Sequence, residues 1–475
     1  MLRRLIDSPL TYFVGAGLLV VVAIATQIEV RVPPLPEGTP QDVAELPQRG
    51  DLNVVFVVID TLRADHLDVY GYGRETSPNL AALASQGIRF EKVLAQSSWT
   101  KTSMASLWTG AQPLNHGLLR FDDALPAEAR MPAETLKQAG YRTAGIYRNG
   151  WVAPNFGFAQ GFDTYIRPRP GRARQRAQSQ HPAGALLEGT DEDALVSANE
   201  FLDAFGNEKF LLYLHLMDVH QYVFDQDSPP FGVGYLDLYD QAIHWTDRVI
   251  AHLYGKLEEI GVLDRTLFVI TSDHGEAFRE HGFEGHARNL YSEVTRVPWI
   301  IGLPFRLMPG VVVEQPVSNV DVWPTLLELL GLSPLEGIDG RSAVPLIRAA
   351  AGLDAEPLAP TPRLAFLDRG WGHRTRQTPI FAVEDAGKRI MWWPQTDESP
   401  ERVHLFDTEG DPSEQHDIYS PGDDPDAERL LGIVREHSES AESPWGVDAR
   451  QIELDEMRLN QLRALGYVLP GAERR

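Results

Sequence analysis

A chain of 475 residues with 43% apolar composition is long enough for one large core and a smaller partner. Its formal net charge of −24 argues against nucleic acid as a partner, while leaving room for a small anionic ligand held by a local cation. With no cysteine, the chain has no disulfide, no thiolate metal site and no Cys nucleophile.

The N-terminus opens on a basic "MLRR", and Leu10 to Ile28 is apolar, interrupted only by Thr11, Thr26 and Gln27. That length predicts a membrane-spanning signal anchor over 1–29, with Arg3 and Arg4 in the cytoplasm and the bulk outside it. That bulk would then be periplasmic or extracellular. Ala23-Ile24-Ala25 resembles a cleavage site, so a secreted form stays open. Residues 30–51 read as a Pro-rich linker.

"LNVVFVVID" (52–60) is a β-branched run ending in an acid, which predicts a buried parallel strand with Asp60 at its C-terminal edge. A helix follows over 77–88, with Ser77 as cap and Gly87 as stop. Helix, turn and strand are expected over 131–147, a helix over 191–205 and a strand over 209–218. A long amphipathic helix spans 235–261, and strands cover 266–276 and 296–304 before a helix at 321–331. Alternating strands and helices make a doubly wound α/β sheet flanked by helices, whose ligands collect beyond the carboxyl ends of the strands. From 375 on, short strands and charged helices predict a small C-terminal α+β subdomain, leaving 52–374 as the main domain. The basic stretch 167–180 reads as a surface loop or a lid.

Asp60, Asp273 and His274 each follow a buried strand, and two hard oxygens plus an imidazole suit a divalent metal ion. Thr100 lies at the start of the helix in "SSWTKTSMASLWTG" (97–110), where unpaired N–H groups favour an anion. Simple capping by Thr102 or Ser103 would also explain the hydroxyls. A Thr hydroxyl needs a metal or a base to become a nucleophile, and the inferred metal site supplies one.

Several segments together resemble the sulfatase family of the alkaline phosphatase superfamily: "NVVFVVIDTLRADHL", "SSWTKTSMASLWTG", "LLYLHLMDVHQY", "VITSDHGEAFREHGFEGH", "LYSEVTRVPWII", "VSNVDVWPTLLELLG", "LFDTEGDPSEQHDI" and "LRALGYV". They stand in family order over about residues 52 to 468. The resemblance implies an alkaline phosphatase-like fold, metal ligation by Asp60, Asp273 and His274 with Thr100, and Thr100 as nucleophile. It also implies an active-site histidine at His220 and a proton donor to the leaving oxygen at His286. Arg63, at the family's usual spacing after the first Asp, becomes a substrate-binding candidate, with an ordinary ion pair as its rival reading. Asp218 reads as an orienter.

The departures narrow the chemistry. The family's Cys/Ser-x-Pro-x-Arg window, which yields formylglycine, reads Thr100-Lys101-Thr102-Ser103-Met104, so no formylglycine is expected. The family's Lys-x-His is replaced by Arg148 and Asn149, with Asn149 a substrate-binding candidate, and the second Asp of the acidic pair is Thr61. Imidazole at His274 favours Mn²⁺ or Zn²⁺ over Ca²⁺, which remains possible. Lys101 would help to stabilise charge on the transferring group. The expectation is an exported, metal-dependent hydrolase of sulfate, phosphate or phosphonate esters acting through Thr100, with Thr102 as the rival nucleophile. Its substrate is a small-molecule or glycan- or lipid-linked anionic ester. A phospho-alcohol transferase acting on an envelope glycan or lipid is the second reading, and a non-catalytic metal-binding module the third.

Overall fold

The computed structural model describes residues 35–171, 178–179, 189–368 and 378–453, apart from 398 and 423. The expected anchor, most of the basic stretch 167–180 and the terminal "LRALGYV" lie outside the described residues. Among the described residues no helix is long and apolar enough to cross a membrane.

The centre is strand β1 (Asn53–Ile59), buried at every position. A strand with no solvent face needs helices on both sides of its sheet. The chain supplies α1 (Pro78–Ser85), β2 (Ile88–Leu94), α2 (Thr100–Thr109), β3 (Arg142–Tyr147), β4 (Thr164–Ile166), α3 (Asp191–Phe205) and β5 (Phe210–Leu216). There follow α4 (Tyr235–Glu259), β6 (Thr266–Thr271), β7 (Arg296–Gly302), β8 (Val311–Val313), β9 (Val317–Ser318) and α5 (Val322–Leu329). The main sheet runs β8-β2-β7-β6-β1-β5-β3-β4, with β9 also on β2. β1 is parallel to β5 and β6, whereas β7 is antiparallel to β6 and β2, so the sheet is mixed.

Strand alternation sorts the core into two layers. Val54, Phe56 and Val58 face α2 and α5, while Val55, Val57 and Ile59 face α1, α3 and α4. On the first face Trp108 stacks on Trp323 at 5.0 Å and meets Phe56 and Tyr213 edge-on, which fixes α2 against the sheet.

A second, antiparallel sheet holds β10 (Arg363–Leu367), β11 (Ile380–Asp385), β12 (Lys388–Trp393) and β13 (Arg402–Asp407) in that order. Alternate residues Phe366, Val383, Ile390 and Leu405 pack on α6 (Pro425–Glu439), and Leu367, Ala382, Met391 and Phe406 face the main core. The small C-terminal α+β unit expected from sequence is therefore present, and its first strand starts ahead of residue 375. Part of the expected linker is also structured. Pro40–Glu45 is a short helix, and Val43 and Leu46, one turn apart, insert into the core.

Candidate active site

Four strand ends meet at one crevice. Val58 of β1 lies in register with His215 of β5 and Thr271 of β6. Two residues on, with the same facing, come Asp60 and Asp273, so both carboxylates reach the face on which α2 packs. Thr100 is the first residue of α2, and its Oγ1 lies 3.1 Å from His274 Nε2. Asn149, just past β3, donates from Nδ2 to Asp60 Oδ2 at 2.6 Å and lies 3.4 Å from Thr100 Oγ1. Its amide orientation is fixed because Oδ1 accepts the Trp151 N–H at 2.8 Å.

Asp60, Asp273 and His274 are fully buried, and one ligating atom from each lies within 4.8 Å of the others. Asp60 Oδ1 and Asp273 Oδ2 accept no hydrogen bond from the described residues. His274 Nδ1 is 2.9 Å from the Gly275 carbonyl, which can only accept, so Nδ1 carries the hydrogen and Nε2 presents its lone pair. Burial works against charge on Asp60, yet the His215 hydrogen bond and the neighbouring imidazoles hold it below the usual carboxylate range. Asp273 is pushed up, by burial and then by the Asp60 charge. Two crowded carboxylates with bare oxygens, an imidazole lone pair and a hydroxyl form a donor set that fits a divalent cation. Between them, Thr61 holds a left-handed backbone at φ 62, which is costly for a β-branched residue. Three hydrogen bonds keep it there: its N–H donates to Asp273 Oδ1, its hydroxyl to the Asp60 carbonyl, and its carbonyl accepts from Tyr239.

A histidine pair flanks the cluster. The His286 ring centroid lies 4.6 Å from that of His274 and 5.1 Å from that of His220. His286 Nδ1 is 3.2 Å from Glu276 Oε2. Burial opposes charge on His286, but Glu276 outweighs it and holds the ring above the usual histidine value. Burial likewise raises Glu276, yet His286 leaves it below its usual value. His220 Nδ1 is 2.9 Å from Gln221 Nε2, an amide donor, so its Nε2 carries the hydrogen.

Two expected site residues are turned elsewhere. Lys101 is next to Thr100 in sequence, but consecutive helical residues do not share a face. Its Nζ donates to the Asp123 carbonyl at 2.7 Å, within 4.4–5.4 Å of the rings of Phe156, Trp99 and Trp151. Arg63 spends its guanidinium on Asp65, Glu280 and the Glu276 carbonyl, the ion-pair alternative to substrate binding. Thr102, the rival for Thr100, donates to the Leu118 carbonyl at 2.7 Å. Asp218 accepts from Arg148, from the Asp191 N–H and from Trp245 Nε1. His215, Tyr213 and Glu276 were not anticipated. A polar ring inside the apolar run of β5 was the available signal for the first.

A family model described as Sulfatase matches residues 52–332. The chain belongs to the sulfatase family. A second model, N-sulphoglucosamine sulphohydrolase, C-terminal, matches residues 279–437, which take in the antiparallel sheet. Rat steryl-sulfatase (Rattus norvegicus) is 33% identical over 165 residues, 32% of this chain and 28% of that protein. Human arylsulfatase A (Homo sapiens) is 27% identical over 354 residues, 62% of this chain and 67% of that protein. The match thus spans little more than a quarter of the rat relative's length. Among solved structures, one described with its substrate D-glucosamine-2-N,6-O-disulfate gives a TM-score of 0.63 at 17% identity, over 82% of this chain and 98% of that one. The phosphonate monoester hydrolase of Agrobacterium radiobacter gives 0.60 at 18%, over 82% and 95%. At these identities the likeness is one of fold.

Proposed function

We propose that the protein is a metal-dependent hydrolase of singly charged sulfate, phosphonate or phosphodiester bonds, with unmodified Thr100 as nucleophile. The observation that carries this reading is Thr100 Oγ1 at 3.1 Å from His274 Nε2, beside one oxygen each of Asp60 and Asp273 that accepts no hydrogen bond from the described residues. Asp60, Asp273, His274 and Thr100 would hold a divalent ion, with Mn²⁺ or Zn²⁺ suiting the imidazole better than Ca²⁺. When bound, such an ion makes the hydroxyl a better nucleophile and neutralises charge on the ester oxygens.

Thr100 Oγ1, as the alkoxide once its proton has passed to solvent, bonds to the sulfur or phosphorus as the bond to the ester oxygen breaks, and it leaves again as the alkoxide when water cleaves the intermediate. His286, its Nδ1–H held by Glu276, gives the Nε2 proton to the departing oxygen. The neutral ring then takes a proton from the water that cleaves the covalent intermediate. His220 donates from Nε2 to the transferring group, and Asn149 keeps Asp60 and Thr100 in place. Arg63, Lys101 and Arg148 are all committed to other partners, so these three cations give no help to a doubly charged monoester. This charge balance favours monoanionic substrates. The apolar run Leu10–Ile28 supports an exported, membrane-tethered enzyme.

The test is a panel of nitrophenyl sulfate, phosphonate, phosphodiester and phosphate monoester with Mn²⁺, Zn²⁺ and Ca²⁺. Turnover should be greatest for a singly charged ester and least for the doubly charged monoester. Thr100→Ala should lose at least about a thousandfold in kcat and all covalent labelling, and Thr102→Ala should keep both. Wild-type turnover in Thr100→Ala, or its loss in Thr102→Ala alone, would overturn the assignment.

A further inference from the structure

We infer that Tyr213 and His215 form a hydrogen-bonded relay that holds the Asp60 carboxylate in position for a divalent cation, which makes both of them positioning residues. The inference rests on the reading above that Asp60, Asp273 and His274 hold such an ion.

Both residues lie in β5, two apart, on the face shared with Phe56 and Val58 of β1. Both are fully buried. Packing alone would be served there by apolar side chains of similar size, because a buried polar group is costly unless it is paired. Here each is paired in series. His215 Nε2 lies 3.0 Å from Asp60 Oδ2, and the Tyr213 hydroxyl lies 2.8 Å from His215 Nδ1. An ionised carboxylate only accepts, so Nε2 carries the imidazole hydrogen. Nδ1 then accepts a hydrogen bond from the Tyr213 hydroxyl.

The Tyr213 ring is wedged by Trp108 and Phe162, so the relay is anchored in the aromatic core rather than in a loop. At its other end Asp60 Oδ2 also receives the Asn149 amide at 2.6 Å, while Oδ1 receives no hydrogen bond from the described residues. Two donors on one oxygen oppose rotation of the carboxylate and leave the other oxygen aimed at the cluster. Partners of this kind behind a ligating group fix its orientation, and their removal typically lowers metal affinity by about 10–100-fold.

The experiment uses the full chain, stripped of metal with a chelator and titrated with Mn²⁺ and with Zn²⁺ by calorimetry. Urea unfolding of each metal-free variant runs in parallel. His215→Phe should weaken binding by about 10–100-fold, and Tyr213→Phe by a smaller factor. The double variant should bind no more weakly than His215→Phe, because Tyr213 acts through His215. His215→Gln, which can still donate an N–H, should recover part of the loss. Unchanged affinity in His215→Phe overturns the relay, and so do losses that multiply in the double variant as independent packing defects would. Should His215→Phe not fold, Tyr213→Phe decides: lowered affinity at unchanged stability supports the relay, and unchanged affinity overturns it. A wild-type protein that binds neither ion overturns the metal reading itself, which separates the two failures.

Discussion

Lys101 shows what single residues disclose and what they conceal. Its position beside Thr100 suggested a catalytic cation, but its ammonium is enclosed by Phe156, Trp99 and Trp151 and bonded to the Asp123 carbonyl. Burial pushes its pKa down to about 7, against the pull of Asp123 and Asp122. The folded value is below the unfolded one, so between pH 7 and about 10.4 the unfolded chain binds more protons and stability rises with pH. We expect wild-type stability to gain about 2 kcal/mol on Lys101→Met between pH 7 and pH 9, read by urea unfolding of both proteins. Parallel pH profiles would mean that the ammonium keeps its ordinary pKa. Asp60, Asp273 and His274 were legible because the fold rule for strand ends places them without reference to rotamers. The directions of Lys101 and Arg63 were not legible, because a long side chain turns toward neighbours distant in sequence, here Asp123 and Glu280.

At the scale of the element, α2 resolves an oddity of composition. It is rich in hydroxyl groups, yet every one of its residues is buried. Each hydroxyl has a partner: Thr100 has His274, Thr102 the Leu118 carbonyl, Ser103 the Asp273 carbonyl, Ser106 His116 and Thr109 the Ala105 carbonyl. The helix is thus stitched to the site by polar bonds and to the sheet by Trp108. Its end was legible, since Gly110 takes a left-handed φ of 70 that caps the helix. Its partners were not, because they come from segments up to 174 residues away. Ser103→Ala leaves the Asp273 carbonyl without this donor and should cost about 1–3 kcal/mol, together with reduced turnover because Asp273 is a proposed ligand. Thr102→Ala should cost a similar amount through Leu118 while sparing turnover. Denaturation and rate measurements on the pair would check whether α2 couples to the site through Ser103. Equal turnover in both would remove that coupling.

For the molecule as a whole, the question is why a second sheet sits behind the first. The existence of that sheet was legible from the change of texture along the chain, but its attachment was not, because the attachment joins segments about a hundred residues apart through apolar packing and through hydrogen bonds from one buried ion pair. Arg389 of β12 is 2% exposed and reaches Glu414 Oε1 at 3.3 Å, Thr295 Oγ1 at 2.9 Å and the Leu290 carbonyl. Glu414 Oε2 accepts the Ser292 N–H, and its carbonyl pairs with His281, whose ring stacks on Tyr291 at 3.7 Å. The segment thus held, 281–295, carries His286. Arg389→Met should therefore lower turnover without touching the site, and should destabilise by about 3 kcal/mol near pH 8, because a buried carboxylate loses its cation. Burial already pushes Glu414 up to about 7, and Arg389 opposes that rise. Without the arginine the folded pKa climbs further above the unfolded value, so the folded variant binds more protons and its stability falls as pH rises. The variant should consequently be more stable at pH 5 than at pH 8, relative to wild type. Urea unfolding at the two pH values reads this directly, and a deficit that is the same at both would remove Glu414 as its source.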